Sequence, residues 1–419
     1  MKSQNNISIH KFGGASVKNA EAVRNIANIL QTQTAGNPCI IVTSAMGKTT
    51  NKLEKVVSEP NEDKARLELE KIAASHIAVA TSLELGPDFT DEMWSLFTLQ
   101  NHITDPDARY DATVALGELA STRILSEYLK LQGYDASWWD VRQTIFTDSR
   151  HKCARVDEET LNLNGTSLTS LLAKHKIIVT QGFIGQGLDG ATTTLGREGS
   201  DYSAALLACA SGAQEVNIWK DVQGMHNADP RIFNDTITIE KLDYSEALEL
   251  SYYGASVIHP RTVKPLQNRG IPLYVKSFIN PKGPSTCIGD FPDQEIETPM
   301  YISRPNITLM SLGPEDHSFV GEDHLETVFG ALASAGIHVR MMQNSAVQFS
   351  LVYDSDEEKQ ARFLKSLGSG FITKTQTGLE LLTVRHGGAG IIDSLTSGRE
   401  VIMEQVNAPT VRRLLGAKG

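Results

Sequence analysis

The sequence predicts an α/β fold with a mostly parallel central sheet, followed by a smaller α+β module. Three observations carry this. Over roughly the first 280 residues, short apolar runs alternate with segments whose apolar residues recur at helical spacing. These runs end in loops rich in glycine, hydroxyl and charged residues, as loops at the carboxyl ends of parallel strands do. A proline- and acid-rich stretch at 289–300, GDFPDQEIETPM, then breaks the pattern and reads as a linker.

Each element follows from its own pattern. Residues 7–10 read as a strand running into Lys11-Phe12-Gly13-Gly14, and 19–30 set Ala22, Val23, Ile26, Ala27 and Leu30 on one helical face. Residues 39–42 (CIIV) are continuously apolar, the pattern of a strand buried on both faces, and a helix follows Lys48. Helical spacing returns at 62–85, 114–131 and 200–210, with strands at 177–180 and 215–219. Beyond the linker come a strand at 307–311, a helix marked by Leu325, Val328, Phe329 and Leu332, and strands at 337–342 and 347–351. A helix at 357–367 and a strand at 379–385 complete a βαββαβ order. Residues 400–415 read as a last strand–helix unit. The expected domains are 1–290 and 300–419.

Composition narrows the class of partner. Lys plus Arg number 39 against 50 Asp plus Glu, a net charge of −11, which disfavours nucleic acid as a partner. Hydrophobic residues at 40% and charged residues at 21% describe a folded globular chain. No run of about 20 apolar residues occurs, so no membrane partner is expected. The start lacks a cationic patch followed by an apolar run, which points to the cytoplasm. Cys39, Cys153, Cys209 and Cys287 form no CxxC pair, so a metal knuckle is not expected, and buried thiols in a reducing compartment are.

Four loops carry the chemistry. Paired glycines in Lys11-Phe12-Gly13-Gly14-Ala15-Ser16-Val17 let backbone N–H groups close on an oxyanion, with Lys11 supplying charge. Ser44 to Thr50 contains Gly47-Lys48-Thr49 but has Val42 where a Walker loop needs glycine. The densest loop, 180–203, runs TQGFIGQGLDGATTTLGREGSDYS. Its Arg197 can grip a carboxylate by two parallel N–H bonds, and Ser200 and Asp201 are good helix caps. The fourth, 219–231, places Lys220, Asp221, His226 and Arg231 after a strand, a set suited to a nucleotide.

In this order the four segments resemble the aspartate kinases of the amino acid kinase superfamily. KFGGASV, TLGREGSDYSAA, WKDVQG with ADPR, and YGASVIHP at 253–260 carry the resemblance, which covers essentially the whole chain. It implies a three-layer sandwich with a mostly parallel central sheet, followed by an ACT-like regulatory region with one full and one shortened or split unit. It implies ATP with Mg²⁺ as cofactor, L-aspartate as substrate, an end-product amino acid as effector, and a homodimer through the ACT-like region. Residue by residue, Lys11 and Asp201 would be catalytic. Ser44, Thr50, Glu118, Phe183, Arg197 and Ser200 would surround the amino acid, with Arg197 on the α-carboxylate and Glu118 on the α-ammonium. Gly13, Gly14, Ser16, Lys220, Asp221, His226, Arg231 and Ser256 would bind the nucleotide. The substrate's β-carboxylate would be the nucleophile, so no histidine or cysteine needs to move a proton. A kinase for glutamate or a carbamate, or a catalytically weak amino-acid sensor, are the alternatives.

Departures from the family pattern carry expectations of their own. Ala15 replaces a threonine. Glu198 replaces a glycine, so no positive φ is demanded there. His226 stands where tyrosine is common. Ser256 replaces a lysine and Lys220 a threonine, and the two changes are expected to compensate. In the effector segment 337–347, Val339, Met342, Gln343 and Asn344 are the binding candidates. Arg340 and Ala346 stand where lysine-sensitive members carry carboxylates, so lysine inhibition of that type is not expected and threonine is a candidate.

Overall fold

The computed structural model describes residues 6–34, 36–255, 257–292, 296 and 298–416. They divide into two compact units. One takes in residues up to 226, with 238–251 and 257–292; the other takes in 227–237, 252–255 and 298–416. The two short segments 227–237 and 252–255 thus cluster with the second unit, although the sequence places them well before the linker.

The first unit is built on an eight-stranded sheet. Its strands are β1 (Ser8–Phe12), β2 (Cys39–Thr43), β3 (Ala136–Trp139), β4 (Ile177–Gln181), β7 (Glu215–Lys220), β10 (Lys241–Asp243), β11 (Leu273–Ser277) and β12 (Thr286–Gly289). Two small hairpins stand apart, β5 (Ile184–Gln186) with β6 (Thr192–Thr194), and β8 (Met225–His226) with β9 (Thr238–Ile239). The helices are α1 (Ala20–Gln33), α2 (Thr49–Ser58), α3 (Glu62–Ser82), α4 (Pro87–Leu96), α5 (Pro106–Leu131), α6 (Glu158–Leu172), α7 (Gly199–Ser211), α8 (Tyr244–Tyr253) and α9 (Pro260–Arg269).

Strand order is β10-β12-β11-β7-β1-β2-β4-β3, parallel throughout except for β11 against β12. Successive residues of a strand face opposite sides. Phe12, Cys39, Ile41, Val179 and Trp219 point into a core shared with α1, α3 and α5, while β1 and β2 pack α7 on the other face. Helix, sheet and helix make three layers. From β1 the chain runs to β2, β4 and β3 on one side and to β7, β11 and β12 on the other. That reversal opens a crevice at the carboxyl ends of β1, β2, β4 and β7, where ligands of open α/β sheets bind.

The second unit runs β13 (Met300–Pro314), α10 (Glu322–Ala335), β14 (Val339–Asn344), β15 (Phe349–Asp354), α11 (Glu357–Leu367), β16 (Phe371–Arg385), α12 (Gly388–Leu395), β17 (Val401–Asn407) and β18 (Thr410–Leu415). The expected βαββαβ order is present through β16. The strands form one antiparallel sheet, β14-β15-β13-β16-β18-β17. β13 and β16 have 15 residues each and serve two cores. Met310, Leu312, Phe349, Leu351 and Tyr353 bury against α10 and α11, and Leu382, Val384, Val411 and Leu415 gather around Ile392.

The structure corrects several expectations. Residues 400–415 are not strand then helix but the hairpin β17–β18, with the helix α12 before it. Asn407-Ala408-Pro409 supplies the turn, and Val401, Val406 and Val411 prefer the extended chain. The helix expected over 62–85 ends at Ser82, and α4 follows. Of the four thiols, all free, only Cys39 is buried and Cys153 is exposed. Within the expected linker, 293–295 and 297 lie outside the described residues. Among the described residues no helix is long and apolar enough to cross a membrane.

Candidate active site

Lys11 is the fourth residue of β1, one position before its carboxyl end, on the face turned toward α7. Asp201, in the first turn of α7, is fully buried, and its Oδ1 lies 2.5 Å from Lys11 Nζ. Its Oδ2 lies 3.2 Å from the Nζ of Lys220, the last residue of β7, which also donates to the Val257 carbonyl. Burial opposes the charge on Asp201; the two ammonium groups outweigh it and hold the carboxyl below the ordinary range. Two cations on one anion leave a net positive charge beside the start of a helix, the combination that receives phosphate. Capping is not what Ser200 and Asp201 do: no side chain caps the first turn of α7, so its N–H groups are left for a ligand.

The two glycines after β1 differ in kind. A Cβ on Gly14 would lie 2.7 Å from the Gly47 carbonyl and 2.8 Å from that of Ala45, so glycine is required for this loop to close on the loop after β2. The Gly47 N–H to Gly14 carbonyl bond, 2.9 Å, records that approach. Gly13 has ordinary extended backbone, φ −75° and ψ 171°. The nearest neighbour of a Cβ there would be Lys11 Nζ at 3.6 Å. Gly13 therefore keeps free the space beside the lysine rather than serving the fold. Ser16 is buried next to this loop, and its hydroxyl has no partner among the described residues.

The same crevice opens into a cavity of about 440 Å³. Of the residues expected around an amino acid, all six line it: Ser44, Thr50, Glu118, Phe183, Arg197 and Ser200. Lys11 and Asp201 line it as well. Glu118, on α5, is fully out of solvent. Its Oε1 accepts the Ala45 N–H at 3.2 Å, and its Oε2 has no partner among the described residues. Burial pushes its carboxyl up to about 8, against the pull of that N–H. Arg197 is exposed, and no hydrogen bond or ion pair engages its guanidinium among the described residues.

Three lining residues lie outside the loops that the sequence singled out: Glu54, Tyr110 and Lys152. Glu54 lies one helical turn beyond Thr50 on α2, a spacing that would have found it. Tyr110 donates to Glu54 at 2.7 Å and lies on α5 ahead of the segment read as helical. Lys152 sits in an irregular loop and carries no signal. Three of the eight non-glycine residues with positive φ in the described chain line this one cavity: Lys152 (65°), Phe183 (72°) and Glu198 (56°). The expectation that Glu198 needs no positive φ is therefore wrong. A left-handed backbone costs such residues roughly 1–2 kcal/mol each, and strain of this kind gathers at functional sites.

The nucleotide candidates divide. Lys220 belongs to the cluster above. Asp221 lies exposed in the turn after β7, and His226 in β8 pairs with Thr238 of β9. Arg231 falls in the second unit, its guanidinium on Asp229 at 2.7 Å. Ser256 lies outside the described residues. Among the described residues no cluster of three His, Cys, Asp or Glu side chains could hold a metal. His10, next to Lys11, is buried against Trp219, and burial with the nearby Lys276 charge drives its imidazole down to about 3. It is neutral and moves no proton.

In the second unit, β14 is an edge strand. Val339 is half-buried, while Met342, Gln343 and Asn344 are exposed. Arg340 is turned onto Asp354 of β15, at 2.6 Å and 3.0 Å. Asp354 answers its charge, which weakens the repulsion of a lysine ligand expected from a bare cation.

Comparison with known proteins agrees with this geometry. The amino acid kinase family model matches residues 6–277. The bifunctional aspartokinase/homoserine dehydrogenase 2 of Arabidopsis thaliana chloroplasts is 29% identical over 88% of this chain, which spans only 42% of that protein. The lysine-sensitive aspartokinase 3 of Escherichia coli is 33% identical over 83% of this chain and 78% of its own length. The solved structure of E. coli aspartokinase III in complex with aspartate and ADP superposes with a TM-score of 0.83 at 29% identity, covering 98% of this chain and 96% of that one. The chain belongs to the amino acid kinase family, among its aspartokinases.

Proposed function

We propose that this chain transfers the γ-phosphoryl group of ATP to the β-carboxylate of L-aspartate, giving 4-phospho-L-aspartate and ADP. The observation that carries this reading is one cavity that joins an unpartnered buried carboxylate, Glu118, and an unpaired guanidinium, Arg197, to the Lys11–Asp201–Lys220 cluster. Glu118 takes the α-ammonium and Arg197 the α-carboxylate. Ser44, Thr50, Phe183 and Ser200 complete the wall.

The chemistry then needs no base. A substrate carboxylate of ordinary pKa, about 3.9, is ionised at pH 7. One of its oxygens attacks the γ-phosphorus, the bond from that phosphorus to the bridging oxygen breaks, and ADP leaves with the electron pair. No proton moves. Lys11 and Lys220 neutralise the phosphoryl oxygens, and the N–H groups of Gly13, Gly14 and the α7 terminus supply fixed dipoles. Asp201 keeps both lysines aimed. Lys220 is proposed as the second cation, in place of the lysine that Ser256 replaces, and its 3.2 Å approach to Asp201 supports this. Ser16, Asp221, His226, Arg231 and Ser256 are proposed nucleotide contacts on resemblance alone.

Magnesium is proposed as part of the nucleotide substrate. Both Asp201 oxygens are occupied by lysines, and the described residues offer no cage of three ligands. Magnesium keeps its waters and rides on substrate phosphates in such sites.

The second unit is proposed as an amino-acid-binding regulatory region, its second ACT unit shortened by sharing β13 and β16. Val339, Met342, Gln343 and Asn344 are the contacts. The relative named lysine-sensitive and the Arg340–Asp354 pair restore lysine beside threonine as a candidate. An unpaired edge at β14 supports a homodimer through this unit, and free thiols suit a cytoplasmic setting.

The test is ADP release with aspartate, with glutamate in parallel, and capture of the acyl phosphate by hydroxylamine. Aspartate is expected to drive release, and Lys11→Ala to reduce it by about a thousandfold or more. Release driven only by glutamate, or by neither amino acid, would sink the reading.

A further inference from the structure

We propose that Lys152 is a substrate-binding residue, a third cation of the amino-acid pocket that pairs, beside Arg197, with the non-reacting carboxylate of the substrate, and that Asp111 is the residue that positions it. This rests on reading the cavity as the amino-acid pocket.

Asp111 is a fully buried carboxylate on α5, seven residues and therefore about two turns before Glu118, on the same face of the helix. It gathers one loop and one strand. Its Oδ2 lies 2.8 Å from His151 Nδ1 and accepts the Lys152 N–H at 3.0 Å and the Thr194 N–H at 3.1 Å; its Oδ1 accepts the Thr194 hydroxyl at 2.5 Å. One side chain thus ties the loop that carries Lys152, and the strand that leads to Arg197, to the helix that carries Glu118. A second contact sets Lys152 against the Arg197 wall, for a Cβ on Gly196 would lie 3.2 Å from the Lys152 carbonyl.

Held this way, Lys152 keeps a left-handed backbone, φ 65°, and its side chain lines the cavity. The ammonium pairs with Asp107 and lies 5.1 Å from the centre of the Tyr110 ring. Both partners of that pair are about half exposed, 49% for Lys152 and 57% for Asp107. Exposed pairs of this kind are weak, so the lysine is free to exchange Asp107 for a carboxylate inside the cavity. An acidic amino acid brings two carboxylates and one ammonium. Glu118 meets the ammonium, the nucleophile faces Lys11, and the remaining carboxylate is left for Arg197 and Lys152, which both line the cavity.

Lys152→Gly separates the charge from the fold, because glycine accepts the left-handed backbone without strain. Its thermal midpoint is expected to match or exceed that of the parent chain. The KM for aspartate should rise about tenfold while kcat and the KM for ATP change less than about threefold, the signature of lost uniform binding. Lys152→Arg should restore most of the loss, and added salt should shrink it. Aspartate KM values within twofold of the parent for both Lys152→Gly and Lys152→Met, or a rise in the KM for ATP instead, overturn the proposal. Calorimetric titration of aspartate runs in parallel. A parent chain that binds aspartate without turnover breaks the kinase reading but leaves the loss in Lys152→Gly readable; a parent chain that binds none overturns both.

Discussion

Asp201 and Glu118 line the same cavity, both fully out of solvent, and their charges are settled in opposite ways. On the α7 wall, Asp201 faces two lysines from two strands and stays ionised despite its burial. On the α5 wall, Glu118 has one backbone N–H and no cation, and burial leaves it largely protonated at pH 7. The first wall is complete in the free chain. The second lacks a positive group that only a ligand can bring. A site that transfers a phosphoryl group to an amino acid needs both conditions: a charge cluster preorganised for the phosphates, and a pocket whose electrostatics are satisfied only by the correct acceptor.

Breaking the first wall should have the larger effect. Asp201→Asn leaves two lysines sharing a buried site without their anion, and removing one member of such a group costs about 3–5 kcal/mol. Denaturant unfolding should show this loss, and turnover should fall with it. If Asp201→Asn is as stable as the parent chain, Asp201 does not hold the two lysines electrostatically.

Glu118→Gln should behave in the opposite sense. The free protein already holds this group largely neutral, so its stability near pH 7 should stay level or rise. Aspartate affinity should fall by roughly 1.5–3 kcal/mol, the worth of a hydrogen bond to a charged group. The pH dependence follows from linkage. Because the folded-state pKa of Glu118, about 8, lies above its unfolded value, the folded state binds the extra proton. Its contribution is full below the unfolded pKa and is lost as pH rises through about 8. Stability of the free chain should therefore decline between about pH 5 and pH 8, and Glu118→Gln should flatten that decline. Asp201, with its pKa held down, works the other way and loses its contribution only as pH falls into the acid range. Aspartate binding near pH 7 should release close to one proton, measured by calorimetry in buffers of different ionisation enthalpy. Binding with no proton exchange would contradict the assignment of Glu118 to the ammonium.

The smallest expected change in stability is at Gly13. Gly13→Ala meets no backbone clash, so its thermal midpoint should move by no more than a few degrees. Turnover should drop about tenfold or more, because the methyl occupies space beside Lys11 where a phosphoryl oxygen would sit. Parent-like turnover in Gly13→Ala would mean that the glycine serves the chain and not the ligand.

Much of the first wall was legible in the sequence. Lys11, Gly13, Gly14, Arg197 and Asp201 sit in loops between apolar runs and helical segments, where polar and glycine residues have a local meaning. Glu118 was not legible in that way. On residue types alone it is an acid on a helix, and its burial depends on α5 packing beneath the loop after β2. Tyr110 and Lys152 show the same limit, since neither their spacing nor their neighbours in the chain signal a site. The regulatory module was legible through β16, where helical and strand periods are clear. The hairpin at its end is not legible in this way, because short apolar runs serve a strand or a helix equally well.

By itself the sequence determined the α/β alternation of the first unit, four of the eight strands of its sheet (β1, β2, β4 and β7), and the glycine-rich and charged loops proposed to bind phosphate. Period, glycine placement and charge in a loop are local properties, and they survive in a linear chain. Only the tertiary structure decided that one buried aspartate would hold two lysines, that one glutamate would keep its proton near pH 7, and that Asp111 would bind a distant loop and strand to the helix of Glu118. It also decided that segments 227–237 and 252–255 cluster with the second unit. These outcomes depend on which groups are taken out of water together, and desolvation and pairing are set by neighbours in space that the order of residues does not display.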